Sequence, residues 1–214
     1  MPSDRRITRS RSLRRKVATR DVKKTLLVFC EGEKTEPEYL RALSRKSSVR
    51  DLACVDIRFE SGPGGSVPQT LVSKAVEARD RAVDEADEID EFWCVFDVEW
   101  PRNHPNLKSV IQQARDNHIK LAVSNPCFEL WLILHFQDQA AWLDTADALV
   151  VRRDLDGSKG KGIAVAKYMP HSGEAARRAA ELDKLHERNG TCFPDNNPSS
   201  GMYRLIRSVE ALES

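Results

Sequence analysis

Four acidic side chains, far apart in the chain, sit where catalytic or metal-binding groups would be useful. Glu31 follows the run Thr25-Leu26-Leu27-Val28-Phe29-Cys30, and Asp97 and Glu99 follow Glu91-Phe92-Trp93-Cys94-Val95-Phe96. Glu129 lies in a third apolar stretch, Pro126 to Phe136. The first two runs are apolar without alternation, as in parallel strands buried on both faces. Open α/β sheets hold their ligands at the carboxyl ends of such strands. Asp97 and Glu99 are two residues apart, so an extended chain would project both to one side. Neighbouring parallel strands would bring Glu31 close to them. Three carboxylates in one crevice repel each other unless a cation neutralises them or one keeps its proton. An all-oxygen donor set favours Mg²⁺ or Mn²⁺ over zinc. A hard divalent cation held in this way suits phosphodiester hydrolysis. The simpler alternative is a pair of solvated strand ends.

Glu129 has two readings. In the first turn of a buried helix it complements the helix dipole; at the sheet's carboxyl edge it becomes a fourth acid. Ser124 and Asn125, just before that helix, either cap it or touch a phosphate. His135 is two turns deeper and reads as a hydrogen-bonded core histidine, with a supporting role at the site as the alternative. No Gly-x-Ser-x-Gly elbow supports a Ser-His-acid triad.

The formal net charge of +1 conceals an asymmetry. Arg5, Arg6, Arg9, Arg11, Arg14, Arg15, Lys16, Arg20, Lys23 and Lys24 crowd the start, opposed only by Asp4 and Asp21. Residues 1–23 therefore read as a basic, flexible arm. Such an arm attracts phosphate backbones through a salt-sensitive, sequence-independent force. Arg11, Arg14, Arg15 and Lys16 are its candidate nucleic-acid contacts, together with Lys34 and the later Lys159 and Lys161.

The elements that must position these groups follow from periodicity. A helix is expected over 35–46, a strand nearer the sheet edge over 53–59, a helix over 68–85, a helix over 106–117 and a short strand over 119–123. The buried helix then starts at Pro126, and helices are expected near 141–150, 173–188 and 199–212. Ser61-Gly62-Pro63-Gly64-Gly65 resembles a phosphate loop but lacks its Lys-Ser/Thr, so it reads as a turn with Ser66 capping the next helix. Alternating strands and helices predict an α/β fold with a mainly parallel sheet covered on both faces. One structural domain is expected: an arm over 1–23, an α/β core over 24–136 and a helical extension packed on it over 137–214. Five cysteines without a Cys-x-x-Cys pair, and no signal-like or membrane-spanning run, point to a reducing, cytoplasmic setting with no membrane partner.

Val28-Phe29-Cys30-Glu31-Gly32-Glu33-Lys34-Thr35-Glu36-Pro37-Glu38-Tyr39, then Phe96-Asp97-Val98-Glu99, then Ser124-Asn125-Pro126-Cys127-Phe128-Glu129-Leu130-Trp131 through His135-Phe136, together resemble the RloB family. Asn197-Pro198-Ser199-Ser200 is a weaker echo of the same family. RloB proteins are found beside bacterial restriction loci and are regarded as Toprim-like. The resemblance implies a three-layer Toprim-like fold with a central sheet of about four strands. It also implies Glu31 as an acid/base or metal-associated residue and Asp97 and Glu99 as metal ligands. Toprim domains carry Asp-x-Asp where this chain has Asp97-x-Glu99; glutamate keeps the charge but reaches further. The implied activity is a Mg²⁺- or Mn²⁺-dependent nuclease acting on DNA or RNA in phage defence, with Glu31 as a catalytic residue; Glu129, read above as a fourth acid, is the second catalytic candidate. The alternative is a non-catalytic nucleic-acid or nucleotide binder. A separate ATPase or restriction-system partner and a homo-oligomer are both compatible with a chain of this length.

Overall fold

A computed structural model describes residues 23–51, 53–59, 67–101, 104–158 and 162–210. Arg11, Arg14, Arg15, Lys16, Lys159, Lys161 and the expected cap Ser66 lie outside them. The sheet has five strands: β1 (Lys24–Cys30), β2 (Ala53–Phe59), β3 (Glu91–Asp97), β4 (Lys120–Asn125) and β5 (Ser199–Ser200). Their order is β2-β1-β3-β4-β5. The first four run parallel, and β5 is antiparallel to β4. The fold is thus α/β with a mostly parallel sheet. The expectation of about four strands falls one short. β5 is two serines with no apolar pattern to announce it, and its pairing depends on a neighbour: Ser124 Oγ and Ser200 Oγ lie 3.2 Å apart.

Helices cover both faces because each central strand is apolar on both. Leu26, Val28 and Cys30 of β1 join Trp93 and Val95 of β3 in one core. Helix α1 (Thr35–Ser44), α5 (Phe128–Ile133), α8 (Ser172–Asn189) and α9 (Met202–Val209) close that core. Leu27 and Phe29 point the other way and pack with Phe92, Cys94 and Phe96 under α3 (Pro68–Glu85) and α4 (Leu107–Asp116). β2 takes the edge position the alternating sequence suggested. The remaining helices are α2 (Ser47–Arg50), α6 (Thr145–Asp156) and α7 (Val165–Tyr168), followed by a 3₁₀ turn, Met169–His171. α6 begins later than expected, where Asp144 accepts a bond from Asp147 N–H and caps it (2.7 Å). Residues 199–212 do not form one helix: Ser199–Ser200 pairs as a strand and Gly201 turns the chain into α9. Gly201 N–H donates to Val123 O at 2.8 Å. A Cβ there would stand 3.1 Å from Val123 N, a tight contact that would push the two backbones apart by a few tenths of an ångström, and glycine avoids it.

Among the described residues, no helix is long and apolar enough to cross a membrane.

Candidate active site at the carboxyl edge of the sheet

β1 and β3 are adjacent and parallel, with Cys30 level with Val95, so both strands end at one edge. Glu31 N–H still donates to Val95 O (3.0 Å), which holds Glu31 against β3. Its carboxylate reaches across the strand end: Asp97 N–H donates to Glu31 Oε2 at 3.1 Å. The other oxygen, Oε1, lies 3.5 Å from His104 Nε2. Asp97 in turn accepts a bond from the backbone N–H of Phe128, the first residue of α5. Glu31, Asp97 and the start of α5 therefore form one connected unit.

Glu99 is not placed by strand alternation. The strand ends at Asp97, and Glu99 has φ +60°, a left-handed conformation a β-carbon disfavours. Val98 N–H donates to Ser124 O (2.9 Å) and Glu99 N–H to Pro126 O (2.7 Å), so the turn is pinned to the end of β4. The extended geometry behind the same-side expectation for Asp97 and Glu99 stops at Asp97, so the turn rather than strand alternation sets the course of the chain at Glu99. Glu99 nonetheless stays within electrostatic reach of Glu31. Glu129 occupies the first turn of α5, close enough to act on Asp97 and on the Cys127 thiol.

The charges here are poorly compensated. Burial, with help from Glu99 and Glu36, pushes the Glu31 carboxyl up to about 7 against the bond from Asp97 N–H. Burial first, then the charges of Glu36, Glu129 and Glu31, raises Asp97 well above the usual carboxylate range. Glu91, at the opposite end of β3, shows the contrast. It too is buried, yet bonds from Lys120, Lys24, Ser208 and Trp93 overcome that cost and pull it down to about 2. Glu91 ties secondary-structure elements together, whereas burial and neighbouring acids favour the protonated form of Glu31 and Asp97.

Two members of this cluster were not expected from the sequence. Glu36, in the first turn of α1, is buried and its carboxylate lies over Gly32, where any Cβ would overlap it. His104 follows β3 in the chain, and folding brings its ring to Glu31. Other expected residues hold the framework. Ser124 pairs with Ser200, and Asn125 accepts from Trp100 Nε1–H (3.0 Å) while donating to Pro194 O (3.0 Å). Asn125 does not cap α5, whose N-cap is Cys127 without a side-chain bond. His135 sits in the core. Its Nδ1 is 2.9 Å from Trp131 O, which can only accept, so Nε2 accepts from the Tyr39 hydroxyl (3.0 Å). Lys34 is exposed at the start of α1, with its ammonium close to Gly162, at the end of the segment that carries Lys159 and Lys161.

The donor set suits a hard divalent cation, since the clustered oxygens carry the charge one would relieve. Among the described residues, however, no three His, Cys, Asp or Glu side chains already converge as a metal shell.

An α/β protein with a carboxylate cluster at the parallel-strand ends is the class this geometry defines. Residues 26–209 match the family model described as RloB-like protein, and the chain belongs to that family. No curated protein and no solved structure matches it.

Proposed function

We propose that the protein is a divalent-metal-dependent nuclease with a Toprim-like core, hydrolysing phosphodiester bonds of DNA or RNA in bacterial defence. The observation that carries this reading is the pairing of Glu31 Oε2 with Asp97 N–H inside a carboxylate cluster, where burial and neighbouring negative charge raise both of these two groups. Glu31-Gly32 just past the end of β1 and Asp97-x-Glu99 at the end of the adjacent β3 support the Toprim-like assignment. Asp97, Glu99 and Glu31 would hold Mg²⁺ or Mn²⁺, with Glu129 and Glu36 adding charge. The ion would supply Lewis acidity at the phosphate and make water a better nucleophile near neutral pH. Burial pushes the Glu31 carboxyl up to about 7 when no cation is bound, so wherever it does not ligate the ion its Oε1 would be able to take up or return a proton. Asp97 N–H fixes the other oxygen and sets the direction of that transfer. Lys34 and the basic residues of the arm hold the polymer.

Incubation with plasmid, single-stranded DNA and tRNA, in Mg²⁺, Mn²⁺ or chelator, tests the proposal. Cutting should require metal and fall by at least about a hundredfold in Glu31→Ala and in Asp97→Ala. The competing outcome is a nucleic-acid binder without catalysis. Tight binding without cutting in any metal would select it.

A further inference from the structure

We infer that the nucleic acid this protein engages is an unpaired strand, with one base stacked on Trp142. The inference rests on the reading of the partner as nucleic acid and goes on to define its form. Trp142 lies between α5 and α6 and is 56% exposed, whereas Trp93 and Trp131 are buried. A lone exposed aromatic needs no explanation; its position and support give this one meaning. Its ring meets Trp100 edge-to-face, with centroids 5.9 Å apart. Trp100 is the residue after Glu99 and is fixed at two points. Its indole N–H donates to Asn125 Oδ1 (3.0 Å) and its backbone N–H to Thr145 Oγ1 (2.8 Å). Trp142 is therefore a solvent-facing ring held against a rigid neighbour at the rim of the acid cluster. Stacking on such a ring loses little side-chain entropy.

A cavity beside the cluster has complementary chemistry. Its volume is about 480 Å³, and it is lined by His104, Pro105, Asn106, Lys108 and Pro194, among others. It adjoins the acids through His104, whose Nε2 is 3.5 Å from Glu31 Oε1. Its size is within the range that holds small ligands. Proline rings and an imidazole offer flat apolar surface, and Lys108 offers a cation for a phosphate. Asn125 joins the two flanks, bonding Trp100 on one side and Pro194 O on the other. A strand crossing the edge could thus set one base on Trp142 and a neighbouring nucleotide in the cavity. Duplex bases can reach neither place without leaving their stack, which costs a few kcal/mol.

Binding of the full chain to fluorescein-labelled oligothymidylate, oligouridylate and a hairpin duplex, followed by anisotropy in chelator, tests this without catalysis. Wild type should prefer the unpaired strands. Trp142→Ala should weaken that binding about tenfold or more, Trp142→Phe should retain most of it, and neither should change duplex binding. Lys108→Glu should weaken single-strand binding and flatten its salt dependence. Equal affinity of wild type and Trp142→Ala for the unpaired strands, equal loss on the duplex, or a wild-type preference for duplex would each overturn the inference. If nothing is cut but Trp142 governs single-strand binding, the nuclease reading falls and this one stands. If metal-dependent cutting is found while Trp142→Ala binds like wild type, the reverse holds.

Discussion

Gly32 matters for the space it leaves. Its backbone has no positive φ to demand glycine, but a Cβ would occupy the volume that the Glu36 carboxylate fills. Glu36 adds to the charge felt by both Glu31 and Asp97. Gly32→Ala should therefore act on the acid cluster more than on the fold, because the group displaced is the end of a flexible side chain. The expected result is a melting temperature within a few degrees of wild type, since alanine also restricts the unfolded chain. Mn²⁺ affinity, measured by calorimetry, should drop about tenfold and match Glu36→Gln. Gly32→Ala binding Mn²⁺ as wild type does would show that Glu36 is not part of the ion's environment.

At the scale of elements, α5 couples the site to the core. Its first N–H binds Asp97, while its far end leads to His135, buried among Tyr39, Trp131 and Tyr168. Burial holds that imidazole neutral, down to about 4 from an ordinary 6.5. In the unfolded chain it takes a proton below about 6.5, and in the folded chain only below about 4. Its contribution to stability is thus complete above pH 6.5, declines as pH falls towards 4 and is flat below that. The loss should amount to about 3 kcal/mol. Glu31 and Asp97, both raised, slope the other way, so the informative quantity is the difference between variants. Urea unfolding of wild type and His135→Gln at several pH values should give curves that converge on acidification; parallel curves would contradict a buried neutral histidine. The elements themselves were unevenly legible. β2 and α3 have the bounds their periodicity suggested, because long runs of alternating or helically spaced apolar residues specify them. α5 is shorter than its apolar run because Cys127 stays extended and the helix ends at Ile133. The acids at 31 and 97 were readable because they end buried strands. Glu36 and His104 were not, since their roles depend on contacts across chain segments that no local pattern encodes.

For the whole molecule, charge separation is the organising feature. The first 24 residues hold ten Lys or Arg against two Asp, a surplus of eight beside an overall +1, which leaves the rest of the chain at −7. An acidic body repels polyanions at long range, so the approach of the proposed nucleic acid would have to be carried by the basic start of the chain and by local cations such as Lys34. Counterion release makes that contribution measurable: each phosphate contact steepens the fall of log affinity with log salt by about 0.7 on a single strand. Replacing Arg11, Arg14, Arg15 and Lys16 together by Gln should reduce the slope by up to about 3 and weaken binding most at low salt. Trp142 stacking is uncharged, so Trp142→Ala should lower affinity at every salt concentration and leave the slope as it is. Anisotropy titrations across a KCl series separate the two effects. A fourfold Gln variant with the wild-type slope would mean that the phosphates are gripped by the body of the protein and that the arm serves some other end.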